Sequence, residues 1–128
     1  MNVLVVDTSV WISYFKGNDL PHVELALQEG RVYASPVVVA ELLSARLKEQ
    51  ERMKLAEFLE ELPLTDSSFG HWCRVGELRS HCARKGLNVS TPDAHIAQCC
   101  LDLDGYLVST DRIFRKLAAL APLRCYPE

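Results

Sequence analysis

The sequence lacks a hydrophobic run long enough to cross a bilayer. Its longest apolar stretches, such as residues 37–40, fall far short of the roughly 20 residues that a membrane-spanning helix needs. The N-terminal segment Met-Asn-Val-Leu-Val-Val-Asp also lacks a basic region and a small-residue cleavage site, so it does not resemble a signal peptide. We therefore expect no membrane span and a cytoplasmic location.

Paired Cys-x-x-Cys motifs are absent as well. The five cysteines are an odd number without the spacing of a disulfide framework, which predicts reduced thiols in a reducing compartment. The adjacent Cys99 and Cys100 are expected to pack inside a helix. One alternative set of zinc ligands can be assembled from a single predicted helix, without zinc-knuckle spacing: His71, Cys73, His81 and Cys82.

The chain has no excess of basic residues, no internal repeat and no linker. Its 128 residues predict a single domain over residues 1–128, and 48% hydrophobic residues supply an ordinary core. The formal net charge of −3 taken alone argues against a nucleic-acid partner. If four acids are gathered around bound cations, however, the rest of the chain carries +1. Net charge therefore excludes no partner.

Short valine-rich runs alternate with amphipathic segments along the chain. This alternation predicts an α/β fold with a central, mostly parallel sheet flanked by helices on both faces. Strands are predicted at 2–6, 31–34, 106–109 and 123–126, with a further edge strand at 62–65. Helices are predicted at 10–15, 22–28, 36–47, 50–62, 69–85, 94–103 and 113–117.

Three acids stand where a helix begins. Asp7 follows the first strand, Asp93 follows Pro92, and Asp111 follows the third long strand. Open parallel sheets bind ligands at the carboxyl edge of their strands, so these acids are expected to share one pocket with Glu41. Because four like charges repel, the arrangement predicts a hard divalent cation with oxygen ligands, either magnesium or manganese.

Each of these acids also has an alternative interpretation as a simple helix cap. Glu41 follows an apolar run, where an unpaired charge is costly, and so it is expected to need a partner or a metal. The competing interpretation places Glu41 at an exposed edge near Arg46 or Lys48. The remaining acids of interest lie in turns or charged stretches and are expected to be solvated: Asp19, Asp66, Asp102 and Asp104.

Four segments in order carry a resemblance to a known family. They are Val-Val-Asp7-Thr8-Ser9-Val-Trp-Ile, Val-Val-Ala-Glu41-Leu-Leu, Thr-Pro-Asp93-Ala-His-Ile-Ala and Leu-Val-Ser-Thr110-Asp111-Arg-Ile-Phe. The whole chain resembles the PIN-domain nucleases, and most closely the VapC-like ribonuclease toxins of toxin-antitoxin pairs. Ala94 and His95 stand where such proteins usually carry larger apolar residues, so the packing of that helix is expected to differ.

The resemblance implies a three-layer PIN-like fold and hydrolysis of RNA phosphodiester bonds by a water molecule that Mg²⁺ or Mn²⁺ activates. It implies that the cations are held by Asp7, Glu41, Asp93 and Asp111. It further implies that these carboxylates or the water are hydrogen-bonded by Thr8, Ser9 and Thr110. Phosphate contacts are expected from Arg112, Arg115 and Lys116. The implied protein partners are a cognate antitoxin and a second copy of the chain in a homodimer.

The sequence also has competing functional interpretations. A receiver-like signalling module has a similar architecture, but it needs an adjacent acid pair where this chain has Asp7-Thr8. A haloacid-dehalogenase-type phosphatase needs an acid at the position of Ser9. A catalytically silent PIN-like binding module stays open. Aromatic side chains near the N-terminus are expected to pack in the core rather than stack on bases: Trp11, Tyr14 and Phe15.

Overall fold

The computed structural model describes residues 2–126, and a four-stranded parallel sheet lies at its centre. The strands are β1 (Leu4–Val6), β2 (Val32–Tyr33), β3 (Tyr106–Val108) and β4 (Arg124–Tyr126). They are arranged in the order β2-β1-β3-β4, and every adjacent pair is parallel. All three residues of β1 are buried, as expected of a strand covered on both faces. The predicted α/β class with a parallel sheet is confirmed.

Helices connect the strands. They are α1 (Thr8–Phe15), α2 (Pro21–Gln28), α3 (Pro36–Leu43), α4 (Glu49–Glu60), α5 (Phe69–Arg84), α6 (Thr91–Leu103) and α7 (Arg112–Ala118). Serine side chains cap three of them, because Ser35, Ser68 and Ser90 each accept a hydrogen bond from a backbone N–H of the first turn. Among residues 2–126, none of the helices is both long and apolar enough to cross a bilayer.

Two predicted boundaries are wrong. The helix expected to reach residue 47 ends at Leu43, where the Arg52 guanidinium donates to the carbonyl oxygens of Leu43 and Ala45 and so satisfies this end of the helix. The edge strand expected at 62–65 is a single parallel bridge between Ala34 and Leu64. A proline within this segment leaves one backbone N–H fewer for a longer ladder.

The N-terminal aromatic side chains pack against one another, but only Trp11 is in the core as expected, since Tyr14 is half-buried and Phe15 is 43% exposed. Trp11 is fully buried, and its ring lies 5.6 Å from Phe15 and 5.6 Å from Phe58, measured between ring centroids. Cys99 and Cys100 are buried within α6, and all five cysteines are free thiols. The expected packing of Cys99 and Cys100 inside a helix is confirmed, whereas Cys73 is exposed.

Asp102 corrects the expectation that it is solvated. Its carboxylate accepts hydrogen bonds from His71 Nδ1 at 2.7 Å, Arg74 Nε at 2.9 Å and Gln98 Nε2 at 2.8 Å. Burial raises the pKa of Asp102, but the hydrogen bonds from Arg74, His71 and Gln98 outweigh it and hold the pKa at about 2. The side chain is 16% exposed, although the residue as a whole lies at the surface, so the ionised carboxylate is shielded mainly by its hydrogen-bond partners.

A buried polar chain continues from Asp102 to the start of α3. His71 Nε2 lies 2.7 Å from His95 Nδ1, and His95 Nε2 lies 2.8 Å from the Ser35 hydroxyl oxygen. Because His71 Nδ1 donates to the carboxylate, the Nε2 of a neutral His71 accepts a hydrogen bond from His95 Nδ1. The Nε2 of His95 then accepts a hydrogen bond from the Ser35 hydroxyl. Burial lowers the pKa of His95 to about 4, which keeps its ring neutral at pH 7. The chain therefore joins α5, α6 and α3 without an unpaired ring nitrogen.

The close approach of β1 to β3 predicts opposite effects for two glycine substitutions. A Cβ at Gly105 would lie 2.8 Å from the backbone oxygen of Val3, which accepts a hydrogen bond from Tyr106. We expect Gly105→Ala to lower the free energy of unfolding by about 1–3 kcal/mol, since backbone must shift. Gly76→Ala, within α5 and with no atom within 4 Å of its Cβ, is expected to raise it by about 0.5–1 kcal/mol. Urea unfolding measures both, and equal effects would contradict the account.

The position of Asp102 predicts a pH-dependent loss of stability. We expect Asp102→Asn to lower the free energy of unfolding at pH 7 by about 1–3 kcal/mol, because His71 loses its carboxylate partner. The folded-state pKa of about 2 lies below the ordinary value of 3.8, so the stabilisation is complete above pH 3.8 and disappears as the pH falls towards 2. Glu57→Gln on the exposed face of α4 is the matched control. A deficit that does not shrink in acid would disprove the assignment.

Candidate functional site

The pairing of β1 with β3 creates the site. These two strands are neighbours, and the backbone N–H of Asp7 donates to the carbonyl oxygen of Val108 at 3.0 Å. The helix after β1 is part of the connection to β2 on one side, whereas β3 and β4 lie on the other. Ligands of open α/β sheets bind at such a reversal of strand order, outside the carboxyl ends of the strands.

Asp7 is the most buried acid of this edge, with 8% of its surface exposed. It is the N-cap of α1, and its Oδ1 accepts a hydrogen bond from the backbone N–H of Thr8 at 2.9 Å. Its Oδ2 accepts from the hydroxyl groups of Ser109 at 2.9 Å and Ser9 at 3.3 Å. The carboxylate is thus held in one orientation by three donors.

Ser109 was not among the predicted site residues. Its hydroxyl donates to Asp7 and accepts from the backbone N–H of Asp111 at 3.1 Å, so one side chain bridges the ends of both strands. Asp111 itself caps α7 by accepting from the N–H of Ile113 at 3.0 Å. The predicted Thr110 side chain is exposed and makes no hydrogen bond with residues 2–126. A serine directly before the motif's threonine was the only sequence signal for this bridge.

Glu41 lies on an exposed part of α3, as the competing interpretation placed it. The apolar run before it faces the core only in part, with Val38 buried and Ala40 exposed. Glu41 Oε1 accepts a hydrogen bond from the Thr8 hydroxyl at 2.8 Å. This bond ties α3 to the first turn of α1, next to Asp7. Within residues 2–126, neither of the predicted basic neighbours forms an ion pair with Glu41.

Asp93 connects the acids electrostatically. It lies in the first turn of α6, and its backbone N–H donates to the Ser90 hydroxyl at 3.2 Å. Burial raises the pKa of the Asp93 carboxyl, a hydrogen bond with Ser90 opposes this, and the negative charges of Asp111, Asp7 and Glu41 raise it further. The structure therefore brings the four predicted acids to one edge of the sheet, close enough for their charges to interact.

The donor chemistry of this edge fits a hard divalent cation. The set consists of carboxylate oxygens from four chain segments, which magnesium and manganese prefer. The one imidazole of the motifs, that of His95, is buried and bonds Ser35 and His71 instead. The four acids are not packed as a tight ligand cluster. Such a spacing is suited to cations that keep several water molecules.

The predicted phosphate contacts lie on α7, directly after Asp111. The side chains of Arg112, Arg115 and Lys116 are exposed. Arg115 lies near enough to Cys125 to lower the pKa of that thiol, although burial outweighs it and raises the pKa overall. The basic side chains thus lie on a helix whose N-cap belongs to the acidic edge, where they could contact a phosphate.

A second cluster of ligand-type side chains lies in the interior. Within residues 2–126, one group of three or more His, Cys, Asp or Glu side chains has all its ligand atoms within 4.8 Å of one another. It consists of His71, His95 and Cys99. The zinc set assembled from the sequence is not brought together, because Cys73 is exposed and His81 donates to the backbone oxygen of Leu120. The four-residue spacing of His95 and Cys99 on α6 was the available sequence signal.

The comparisons with known proteins agree with this architecture. The chain resembles the structure of DNA-bound VapBC from Salmonella typhimurium, with a TM-score of 0.79, 22% identity, and 98% of this chain and 97% of that chain covered. It also resembles VapBC2 from Rickettsia felis bound to a promoter DNA fragment, with a TM-score of 0.77, 23% identity, and 96% of each chain covered. VapBC-5 from Mycobacterium tuberculosis gives a TM-score of 0.70 at 24% identity, with 98% of each chain covered.

These identities show a shared fold. None of the curated proteins compared with the chain matches it. The family model of the PIN domain matches residues 4–120, and these residues include all four acids of the sheet edge. The chain therefore belongs to the PIN-domain family.

Proposed function

We propose that this protein is a magnesium- or manganese-dependent endoribonuclease that acts as the toxin of a toxin-antitoxin pair. The observation that carries the proposal is the convergence of Asp7, Glu41, Asp93 and Asp111 at the carboxyl edge of β1 and β3. Burial raises the pKa of Asp93, and the charges of Asp111, Asp7 and Glu41 raise it further; a bound divalent cation would relieve this repulsion between the acids.

The four carboxylates would hold the cation, directly or through water. When bound, a divalent cation of this kind acidifies a water molecule for attack on a phosphodiester and neutralises the phosphate. The side chains around the acids hold the site in shape. Ser109 and Ser9 orient Asp7, and Thr8 orients Glu41. No side-chain nucleophile is required for hydrolysis of this type. The predicted role of Thr110 remains part of the proposal.

RNA is the proposed substrate, with phosphate contacts from Arg112, Arg115 and Lys116. These side chains lie in the helix that Asp111 caps, so a phosphate at the acidic edge is within the same local region of the fold. The positive charges of these basic side chains attract a polyanionic substrate only when a metal ion neutralises the neighbouring acids. The proposed metal and the proposed substrate therefore depend on each other.

The proposed protein partners are a cognate antitoxin and a second copy of the chain. Support comes from the structural neighbours, which are VapBC complexes and include DNA-bound forms. Large apolar side chains lie exposed on the surface, with Phe69 85% and Leu64 59% exposed. Such side chains are favourable to bury against a partner. We also propose a cytoplasmic location, because RNA and such a partner would be present in that compartment.

Loss of the Asp93 carboxylate separates catalysis from stability. We expect Asp93→Asn to lower metal-dependent cleavage of end-labelled RNA by about 10²–10³-fold, comparable to the loss of one preorganised electrostatic group. The charged form of Asp93 is disfavoured in the fold, so the variant is expected to unfold at a urea concentration equal to or above that of the native protein when metal is absent. EDTA should abolish the native activity.

The same experiment distinguishes the alternative function. A folded native protein that binds Mn²⁺ but cuts neither RNA nor single-stranded DNA would identify a catalytically silent PIN module. Cleavage that persists at the native rate in Asp93→Asn, or in EDTA, would contradict the proposed site.

The Ser109 bridge predicts a second effect on the acidic edge. We expect Ser109→Ala to lower Mn²⁺ affinity or activity by about 10- to 100-fold, because Asp7 loses one of its orienting donors. Thr110→Ala, measured beside it, is expected to have the smaller effect, since its side chain lacks a hydrogen bond within residues 2–126. Ser67→Ala at an exposed serine outside the site is the control. A larger loss for Thr110→Ala than for Ser109→Ala would reverse the assignment.

A further inference from the structure

Two imidazole nitrogens and one thiol converge between α5 and α6. His71 and His95 are fully buried, Cys99 is 1% exposed, and their ligand atoms lie within 4.8 Å of one another. We propose that His71, His95 and Cys99 form a second metal site, which binds a zinc-type transition-metal cation and is independent of the acidic edge.

The donor set selects a different class of metal from the four carboxylates. Imidazole and thiolate are the usual protein ligands of Zn²⁺, whereas Mg²⁺ prefers oxygen ligands. Structural zinc sites generally have four protein ligands, so the three protein ligands here leave one coordination position for water or another small ligand. The two clusters therefore would not compete for the same cation.

Each of the three ligands already has an orienting partner. His71 Nδ1 contacts Asp102 at 2.7 Å, and His95 Nε2 contacts the Ser35 hydroxyl at 2.8 Å. The Cys99 sulfur contacts the Thr65 hydroxyl at 3.1 Å. Metal-binding histidines generally bond a carboxylate, carbonyl or similar group through the second ring nitrogen, and this arrangement fixes which nitrogen faces the metal. The nitrogens that remain, His71 Nε2 and His95 Nδ1, face each other.

Two of the three ligand-atom distances can be compared with a tetrahedral zinc site, and the third, between His71 and Cys99, is at most 4.8 Å. Zinc bonds of about 2.0–2.1 Å to nitrogen and 2.3 Å to sulfur place two tetrahedral nitrogens about 3.3 Å apart, and nitrogen and sulfur about 3.5 Å apart. The two ring nitrogens lie 2.7 Å apart, and the Cys99 sulfur lies 3.9 Å from His95 Nδ1. Both pairs are thus within about 0.6 Å of a tetrahedral arrangement.

Metal binding changes the protons and the charge of the site. Burial raises the pKa of the Cys99 thiol to about 11, so the thiol is protonated without metal and releases one proton when it binds. The proton on His95 Nδ1 moves to Nε2, which then donates a hydrogen bond to the Ser35 hydroxyl oxygen. A divalent cation, one thiolate, the Asp102 carboxylate and the Arg74 guanidinium paired with that carboxylate leave one positive charge. The Trp72 ring stacks on His95 at 4.8 Å and covers the site.

Cobalt titration tests the site in the full-length protein. After treatment with a chelator, Co²⁺ is added to the native protein, and we expect a thiolate-to-cobalt charge-transfer band that saturates at about one cation per chain, as three protein ligands imply. Cys99→Ser should lose the band, and Asp102→Asn should lower the affinity by about 10- to 100-fold. Cys73→Ser, an exposed cysteine on α5, is the matched control and should keep the band.

Asp93→Asn should also keep the band, which separates this site from the proposed nuclease site. Zinc X-ray absorption of the native protein supplies a measurement that needs no variant, and a shell of one sulfur and two imidazole nitrogens is expected. A folded native protein without the band, a band that survives in Cys99→Ser, or a shell of oxygen alone would overturn the proposal.

Discussion

The parallel pairing of β1 with β3 is the constraint on which the acidic edge depends. Val6 is in register with Val108, so the backbone leaves both strands side by side, at Asp7 after β1 and at Ser109 after β3. The paired strands are fixed by burial, because Val5 and Leu107 are fully buried and Val6 nearly so. A slip of one residue would turn these side chains to the opposite face. The hydrogen bond from Ser109 to Asp7 is therefore a consequence of core packing.

Much of the fold could be predicted because its signals are local. Ser35-Pro36 and Ser90 to Pro92 mark helix starts by their capping chemistry, and the valine-rich run before Asp7 marks a buried strand. The sequence also indicated which acids stand at helix starts. The strand order could not be predicted from the sequence. Without knowing that β1 and β3 are neighbours, Ser109 could not be recognised as a hydrogen-bond donor to Asp7 and looked like part of a simple helix start.

The features that sequence reasoning missed arise from contacts between distant segments. Asp102 was expected in water, but its partner His71 lies 31 residues away along the chain. No periodicity within α6 reports the side chains that α5 presents to it. Glu41 shows the same limit in reverse, since a short apolar run before it does not determine which face of α3 is covered. The environments of Asp102 and Glu41 could therefore not be predicted from the local pattern, because tertiary packing determines them.

Helix capping and metal binding are compatible roles for the acids of the edge. Asp7 and Asp111 each use Oδ1 to cap a helix, and Oδ2 of Asp7 is oriented by the hydroxyl groups of Ser109 and Ser9. Asp93 lies in the first turn of a third helix. The positive ends of three helix dipoles thus face the same group of carboxylates and offset part of their repulsion. Burial and then the charges of Asp111, Asp7 and Glu41 raise the pKa of Asp93, and the proposed divalent cation would offset the part that the charges contribute.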